Sequence, residues 1–222
     1  KENRRSYADY PDNKRCYPIS QGMRRFNWPD AINTVTSGCG VMPYRDDLFG
    51  PEFATSLFIC EPVNNLIHRE VLEPDGVTFR SHRAKGEETS EFLASTDTWF
   101  RPVYCKTGPD GALYVADMYR LVIEHPEWIP AEAQKRINLR AGEDKGRIYR
   151  IAPVNEKRRK IPNLAKLDAV GLVAAIDSSS GWQRDTAQRL LVERAEKSTV
   201  TGLQGYLLFS EKDKVMIQAL WT

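Results

Sequence analysis

The sequence has little histidine, no paired-cysteine motif and no long apolar run, and each shortage narrows its chemistry. Its three histidines, His68, His82 and His125, are scattered along 222 residues, which argues against a multi-histidine zinc site. Four cysteines, Cys16, Cys39, Cys60 and Cys105, form no C-x-x-C spacing and no C-x-x-C-H haem attachment. An even count permits two disulfides, one or none, and small buried hydrophobes in strands account for the thiols as simply. The longest apolar stretches, such as 172–176, fall far short of the ~20 residues of a membrane-spanning helix, so no bilayer crossing is expected. Excess charge is missing too. Thirty-two Lys and Arg offset thirty Asp and Glu, leaving a net charge of +2, whereas a dedicated nucleic-acid binder concentrates basic charge on one face. The chain opens on Lys1 with no apolar leader and closes at Trp221-Thr222 inside a helical pattern. It therefore reads as a piece of a longer protein whose targeting signals lie elsewhere.

What is present points to a folded chain. Hydrophobic residues make up 41% and aromatics 10%, enough to supply a core. Residues 1–33, rich in Arg, Tyr, Pro and Asn, read as a connecting segment or a broken strand of a preceding unit. From residue 34 the pattern changes to short β-rich runs at 34–42, 57–60, 66–72 and 77–83. Glu73-Pro74-Asp75-Gly76 is a tight-turn signal, with Pro preset for the second position and Gly free to take positive φ. A second set follows, with strands at 101–106, 112–116 and 146–151 and a similar turn at Gly108-Pro109-Asp110-Gly111. Short strands joined in this way predict antiparallel sheet.

The two sets align. Leu57-Phe58-Ile59-Cys60-Glu61-Pro62 matches Leu113-Tyr114-Val115-Ala116-Asp117-Met118, a buried strand that ends in an acid, and 66–71 matches 147–151 as the strand after it. A repeat of about fifty residues built from short strands is the mark of propeller blades, and a sandwich predicts no such internal similarity. The reading is thus of terminal β-propeller blades, about two, over 34–152, a linker at 153–163, and α-helical HEAT-like repeats from 164 to 222. In the helical part Val170, Leu172, Val173 and Ile176 are the apolar positions of 168–176, and Ala187, Leu190 and Leu191 share one face of 182–194. Arg184, Ala187 and Leu190 recur about thirty residues later as Lys214, Ile217 and Leu220. The run Lys157-Arg158-Arg159-Lys160 reads most simply as a solvated linker.

Blade geometry selects the chemistry. The loop entering a blade's innermost strand and the loop after its second strand emerge on one face. Here these are 96–100 and the long connection 117–144, and long loops on a rigid scaffold tend to carry function. Asp117, Tyr119, Arg120, Glu124 and His125, with Arg101 at the start of the inner strand, are the candidate residues. Carboxylates beside arginines can hold an anion, and a histidine near a carboxylate can serve as a general base, so His125, Glu124 and Asp117 are the catalytic candidates. The same residues equally suit a structural staple, through Asp117–Arg120 and Glu124–Arg101 pairs, with His125 capping a turn. Glu61, Asn64 and Asn65 occupy the corresponding rim of the first set, while Arg45-Asp46-Asp47 falls on the opposite face.

Several motifs then occur in order: Thr36-Ser37-Gly38-Cys39-Gly40, Tyr44-Arg45-Asp46-Asp47-Leu48, Cys60-Glu61-Pro62, Asn65-Leu66-Ile67-His68-Arg69, Trp99-Phe100-Arg101-Pro102-Val103, Asp117-Met118-Tyr119-Arg120, Ile123-Glu124-His125-Pro126 and Gly146-Arg147-Ile148-Tyr149-Arg150. Together they resemble the large membrane-bound dehydrogenases also called PVC-type haem-binding proteins. That family joins a sugar-dehydrogenase-like propeller to HEAT-like repeats and a c-type haem domain. The resemblance implies a periplasmic or cell-surface oxidoreductase acting on a sugar or alcohol. It implies pyrroloquinoline quinone as cofactor, held by Arg101, Arg120 and Tyr119, and electrons passing to a haem domain outside this chain. The alternative is a non-catalytic propeller and HEAT module that binds glycans or proteins through the same face.

Overall fold

The computed structural model describes residues 15–21 and 33–222; most of the connecting segment expected at 1–33 lies outside them. Chain contacts separate two compact units. The first takes the described residues up to Tyr44 together with Thr55–Lys106 and Tyr114–Ile151; the second takes Arg45–Ala54, Thr107–Leu113 and Ala152–Thr222.

The first unit holds two sheets. One contains β1 (Cys39–Pro43), β2 (Ser56–Glu61), β3 (Leu66–Asp75), β4 (Thr78–Arg83) and the two-residue β5 (Leu93–Ala94). These pair antiparallel in the order β1-β2-β3-β4. β4 pairs with residues 70–75 of β3, while β5 pairs with Leu66 and Ile67, so two short strands share one edge of β3. Alternation puts Phe58 and Cys60 of β2 in the core, where Phe58 meets Phe92 at 4.6 Å and Tyr44 edge-on at 6.2 Å. β3 runs through Pro74 and Asp75, so its turn is the pair Gly76-Val77 and not the expected Glu73-to-Gly76 run. Gly76, at φ +61, supplies the positive φ that the first place of such a two-residue hairpin requires.

The other sheet has the order β6 (Pro102–Thr107), β7 (Leu113–Asp117), β8 (Arg147–Ile151). The two sheets meet at β1 and β6. A Cβ on Gly40 would fall 2.7 Å from both Tyr104 Cα and Val103 O, so only glycine admits this backbone approach. Both sheets also repeat one device. Their second strands end in a buried acid that accepts backbone N–H groups from the segment leading into the first strand. Glu61 takes those of Thr36 and Ser37, and Asp117 takes that of Arg101. No closed barrel or propeller forms among the described residues; the fold on view is antiparallel sheets followed by helices.

The second unit is mainly helical. A short α1 (Ala131–Gln134) sits earlier, inside the long connection; α2 (Ala169–Ala175), α3 (Gly181–Arg194), α4 (Val200–Phe209) and α5 (Asp213–Leu220) follow the sheets. Asp168 caps α2 by accepting the Gly171 N–H at 2.8 Å, and Ala195 ends α3 in the left-handed region. Leu172, Ile176, Ala187, Leu191, Val215 and Ala219 form the core. Ala187 and Leu191 are buried on the expected face, but the expected helical recurrence needs correction. Ile217 and Leu220 face out while Arg184 and Ala187 are buried, so the thirty-residue recurrence of Arg184, Ala187 and Leu190 does not mark equivalent positions. Arg45 pairs bidentately with Asp185 at 2.6 and 2.9 Å. The basic run is not wholly solvated either: Arg159 bridges Asp46 and Asp47 at 2.8 and 2.7 Å.

One ionic cluster lies within the first sheet. His68 of β3 is buried between two carboxylates, with Nδ1 2.7 Å from Glu91 Oε2 and Nε2 2.5 Å from Glu70 Oε1. Glu91 also accepts the Tyr17 N–H and Arg83 Nη2, at 2.9 and 3.0 Å. Burial pulls the His68 pKa down, but the hydrogen bonds to Glu70 and Glu91 outweigh it and hold the imidazolium to about 8. A pKa raised above the unfolded value of about 6.5 contributes stability that is complete below that value and lost as pH rises through the folded one. We therefore predict that the chain loses about 2 kcal/mol between roughly pH 6 and pH 9 from this group. His68→Gln is expected to lower stability at pH 6 and flatten that slope. Urea titrations of both chains across this range check it, and an unchanged slope in the variant refutes the assignment.

Candidate functional site

The loop before β6 and the loop after β7 do converge, and backbone bonds join them. Met118 N donates to Arg101 O at 2.9 Å, and Arg120 N to Trp99 O at 3.1 Å. Asp117, whose side chain is fully buried, organises the meeting. Its Oδ1 accepts the N–H groups of Arg101 and Tyr119, both at 2.8 Å, and its Oδ2 accepts Arg147 Nε and Nη2 at 2.8 and 2.7 Å. Its ionic partner is thus Arg147, not Arg120. With each oxygen taking two donors, this carboxylate is committed to structure.

Arg101 is committed in the same way. Its Nε donates to Arg120 O, Nη1 to Pro62 O and Val63 O, and Nη2 to Leu121 O, at 2.8 to 3.3 Å. Burial pulls this guanidinium below its ordinary value, while Glu124 first, then Asp117 and Asp97, act against that. Asn65, at φ +57, adds a second tie across the same gap: its Nδ2 donates to Thr98 O and Phe100 O at 3.1 and 2.6 Å. Asn64 donates to Thr34 O. Asn65 therefore holds the loop that enters the second sheet, while Asn64 holds the segment before β1.

Tyr119 occupies the left-handed region at φ +50, and its ring packs against a guanidinium and an indole. Arg147 covers it at 3.9 Å from the centroid and Trp99 approaches at 5.5 Å; Tyr149 stands 5.3 Å from the same guanidinium. Arg147 also reaches Asp97 at 3.3 Å. Arg120 Nη1 is shielded from water with no hydrogen-bond partner among the described residues. His125 stands apart. Its side chain is 71% exposed, and its Nδ1 accepts the Glu127 N–H at 3.2 Å to cap a one-turn 3-10 helix at Pro126–Trp128. That geometry is a cap and gives no contact with the Asp117 cluster.

Sequence pattern alone places Asp97 and Trp99 in a loop and Arg147 in a strand, with no role at the site. Arg147 leads the return strand, and that position is the signal that it faces both converging loops. A cleft of about 420 Å³ is lined by Arg15, Cys16, Tyr17, Asn33 and Glu91 among others, but both oxygens of Glu91 are already taken. Among the described residues no group of three or more His, Cys, Asp or Glu could hold a metal ion, and no helix is long and apolar enough to cross a membrane.

Removing Arg101 takes the donor from four carbonyls, that of Pro62 buried and the other three half-buried, each at a cost of about 1 kcal/mol. We predict that Arg101→Ala lowers unfolding free energy by at least ~3 kcal/mol, and that Arg101→Lys recovers little because an ammonium cannot span the fork. His125→Ala, at an exposed cap, is expected to cost at most ~1 kcal/mol. Denaturant midpoints of the three variants test this; equal losses for Arg101→Ala and His125→Ala would overturn it.

Comparison with known proteins adds one identification. A family model described as Domain of unknown function (DUF7133) matches residues 1–155. Neither the curated proteins nor the solved structures gave a match. The model spans both sheets, the Arg101 and Asp117 anchors and the whole connection between β7 and β8. The chain therefore belongs to the DUF7133 family.

Proposed function

We propose that this chain is a non-catalytic recognition module, the closing part of a β-propeller joined to HEAT-like repeats, and that it binds carbohydrate through the end of the second sheet. One observation carries the reading: Trp99 and Arg147 both pack against the Tyr119 ring, beside Asp97 and Tyr149, at a surface where Arg147 and Asp97 remain about a third exposed. Sugar rings offer C–H faces to aromatic rings and hydroxyls to ionic groups, so a half-exposed aromatic and ionic cluster suits them. The buried anchors beneath it fix the cluster at little entropic cost on binding.

A second reading is a quinone-dependent sugar or alcohol dehydrogenase at the periplasm or cell surface, passing electrons to a c-type haem outside the chain. The shielded, unpartnered Arg120 Nη1 favours it, since a buried donor calls for an acceptor. Otherwise the nominated residues do not fit pyrroloquinoline quinone. Arg101 spends its fork on main-chain carbonyls, Arg147 covers the Tyr119 ring, and His125 caps an exposed turn. No catalytic step is derived through that cofactor.

The expected result is weak carbohydrate binding, with Kd in roughly the micromolar-to-millimolar range of an open site. Trp99→Ala should weaken it at least tenfold without changing the melting temperature by more than a few degrees. Calorimetric titration against a panel of neutral and acidic oligosaccharides tests this. No binding across the panel, or equal binding by Trp99→Ala, refutes the module. Quinone-dependent dye reduction by the same sample would instead establish the dehydrogenase.

A further inference from the structure

The ionic cluster of the first sheet also holds the short segment 15–17. Tyr17 N donates to Glu91 Oε1 at 2.9 Å, Arg83 Nη2 donates to Arg15 O, and the Arg83 guanidinium covers the Tyr17 ring at 4.8 Å. Cys16 between them is buried, and the three residues form one wall of the cleft that Glu91 also lines. Arg83 and Glu91 are themselves paired at 3.0 Å. Glu91 is thus the common point of the strap, and its second oxygen faces His68 Nδ1 at 2.7 Å. On the other side of the ring Nε2 faces Glu70 Oε1 at 2.5 Å. The charged groups around the imidazole are therefore Glu70 from its own strand, Glu91 from the segment before β5 and Arg83 from β4.

We propose that the proton shared between His68 and its two carboxylates is a latch: it keeps residues 15–17 clamped to the first sheet, and its loss releases them and opens the cleft. Carboxylates on both ring nitrogens call for two N–H donors, and only the imidazolium has two. The neutral ring has one. Glu70 keeps it, because its other oxygen is buried with no partner among the described residues, whereas Glu91 also has Arg83 and the Tyr17 N–H. The remaining proton then sits on Nε2, and the Nδ1 lone pair is left 2.7 Å from Glu91 Oε2. Two acceptors do not stay at that distance in a buried place. Glu91 withdraws, and the ties to Tyr17 and Arg83 go with it. The opening is local, since β3 keeps its pairing with β2 and β4 through main-chain bonds that the ring does not enter. The direction with pH follows from the same contacts. Burial opposes the imidazolium, but the bonds to Glu70 and Glu91 raise its pKa to about 8. Burial opposes the Glu91 carboxylate too, yet His68 and Arg83 hold its pKa below the ordinary value. A raised histidine pKa means a latch fully held below about pH 6.5 and lost as the pH rises through the folded value.

The test is hydrogen exchange of the Tyr17 amide in the whole chain at roughly pH 6 and pH 9, each rate corrected for the intrinsic exchange rate at that pH. Protection is expected to fall at least about tenfold across that range. The fall should be insensitive to low urea, because a local opening exposes little surface. Two variants give opposite signs. In Glu70→Gln the new amide donates to Nε2, so the neutral ring can give its one proton to Glu91, and Tyr17 stays protected at the higher pH. In His68→Gln the single amide nitrogen reaches one carboxylate only, and Tyr17 exchanges fast at both pH values. The latch is overturned by protection that is flat across the range in the unaltered chain, by a fall that tracks urea-driven global unfolding, or by a Glu70→Gln chain that loses protection as the unaltered one does. These three outcomes are read whether or not His68→Gln folds.

Discussion

The meeting of the two sheets depends on one buried guanidinium. Among the described residues Arg101 has no carboxylate in its grip; it collects main-chain carbonyls from the β2–β3 turn on one side and from the loop after β7 on the other. A planar fork with five donors can serve four acceptors in different directions, which no other side chain does. Because its charge is spread over neutral dipoles, the nearby carboxylates remain available. Asp117 can thus turn to Arg147 and to two backbone N–H groups, and so fixes the start of the return strand. Remove the fork, and the turn at 62–65, the loop at 97–101 and the connection after β7 lose their common point.

Much of this was legible in the sequence because it rests on local rules. Strands that alternate, end in an acid and are punctuated by Gly-rich turns set both sheets and the similarity of β2 to β7. The convergence of the two loops follows from antiparallel pairing alone. What could not be read was who pairs with whom. Asp117, Arg120 and Arg147 are all within reach on topology, and only side-chain direction decides that Arg147 wins. His125 was given chemistry by its neighbours in sequence, yet Pro126 fixes the backbone after it and leaves the ring outside as a cap.

The helical misreadings have a different cause. In α5 the apolar residues Val215, Met216, Ile217, Ala219 and Leu220 surround the helix, so spacing alone permits two faces. Burial selects Val215 and Ala219, leaving Ile217 and Leu220 exposed. Arg159 in the basic run was equally beyond local rules, since its partners Asp46 and Asp47 are more than a hundred residues away in sequence.

The long connection between β7 and β8 is closed at its base. Leu121 N bonds to Ala141 O, and Gly142, at φ +92, is pressed against the Tyr119 carbonyl so closely that no Cβ fits. Beyond this clasp, residues 122–140 form a cassette whose ends are held together independently of its contents. Doubling a closed loop costs only about 0.6 kcal/mol in chain entropy. Insertions or deletions inside the cassette therefore leave the sheet and its anchors in register, whereas a single added methyl at Gly142 does not.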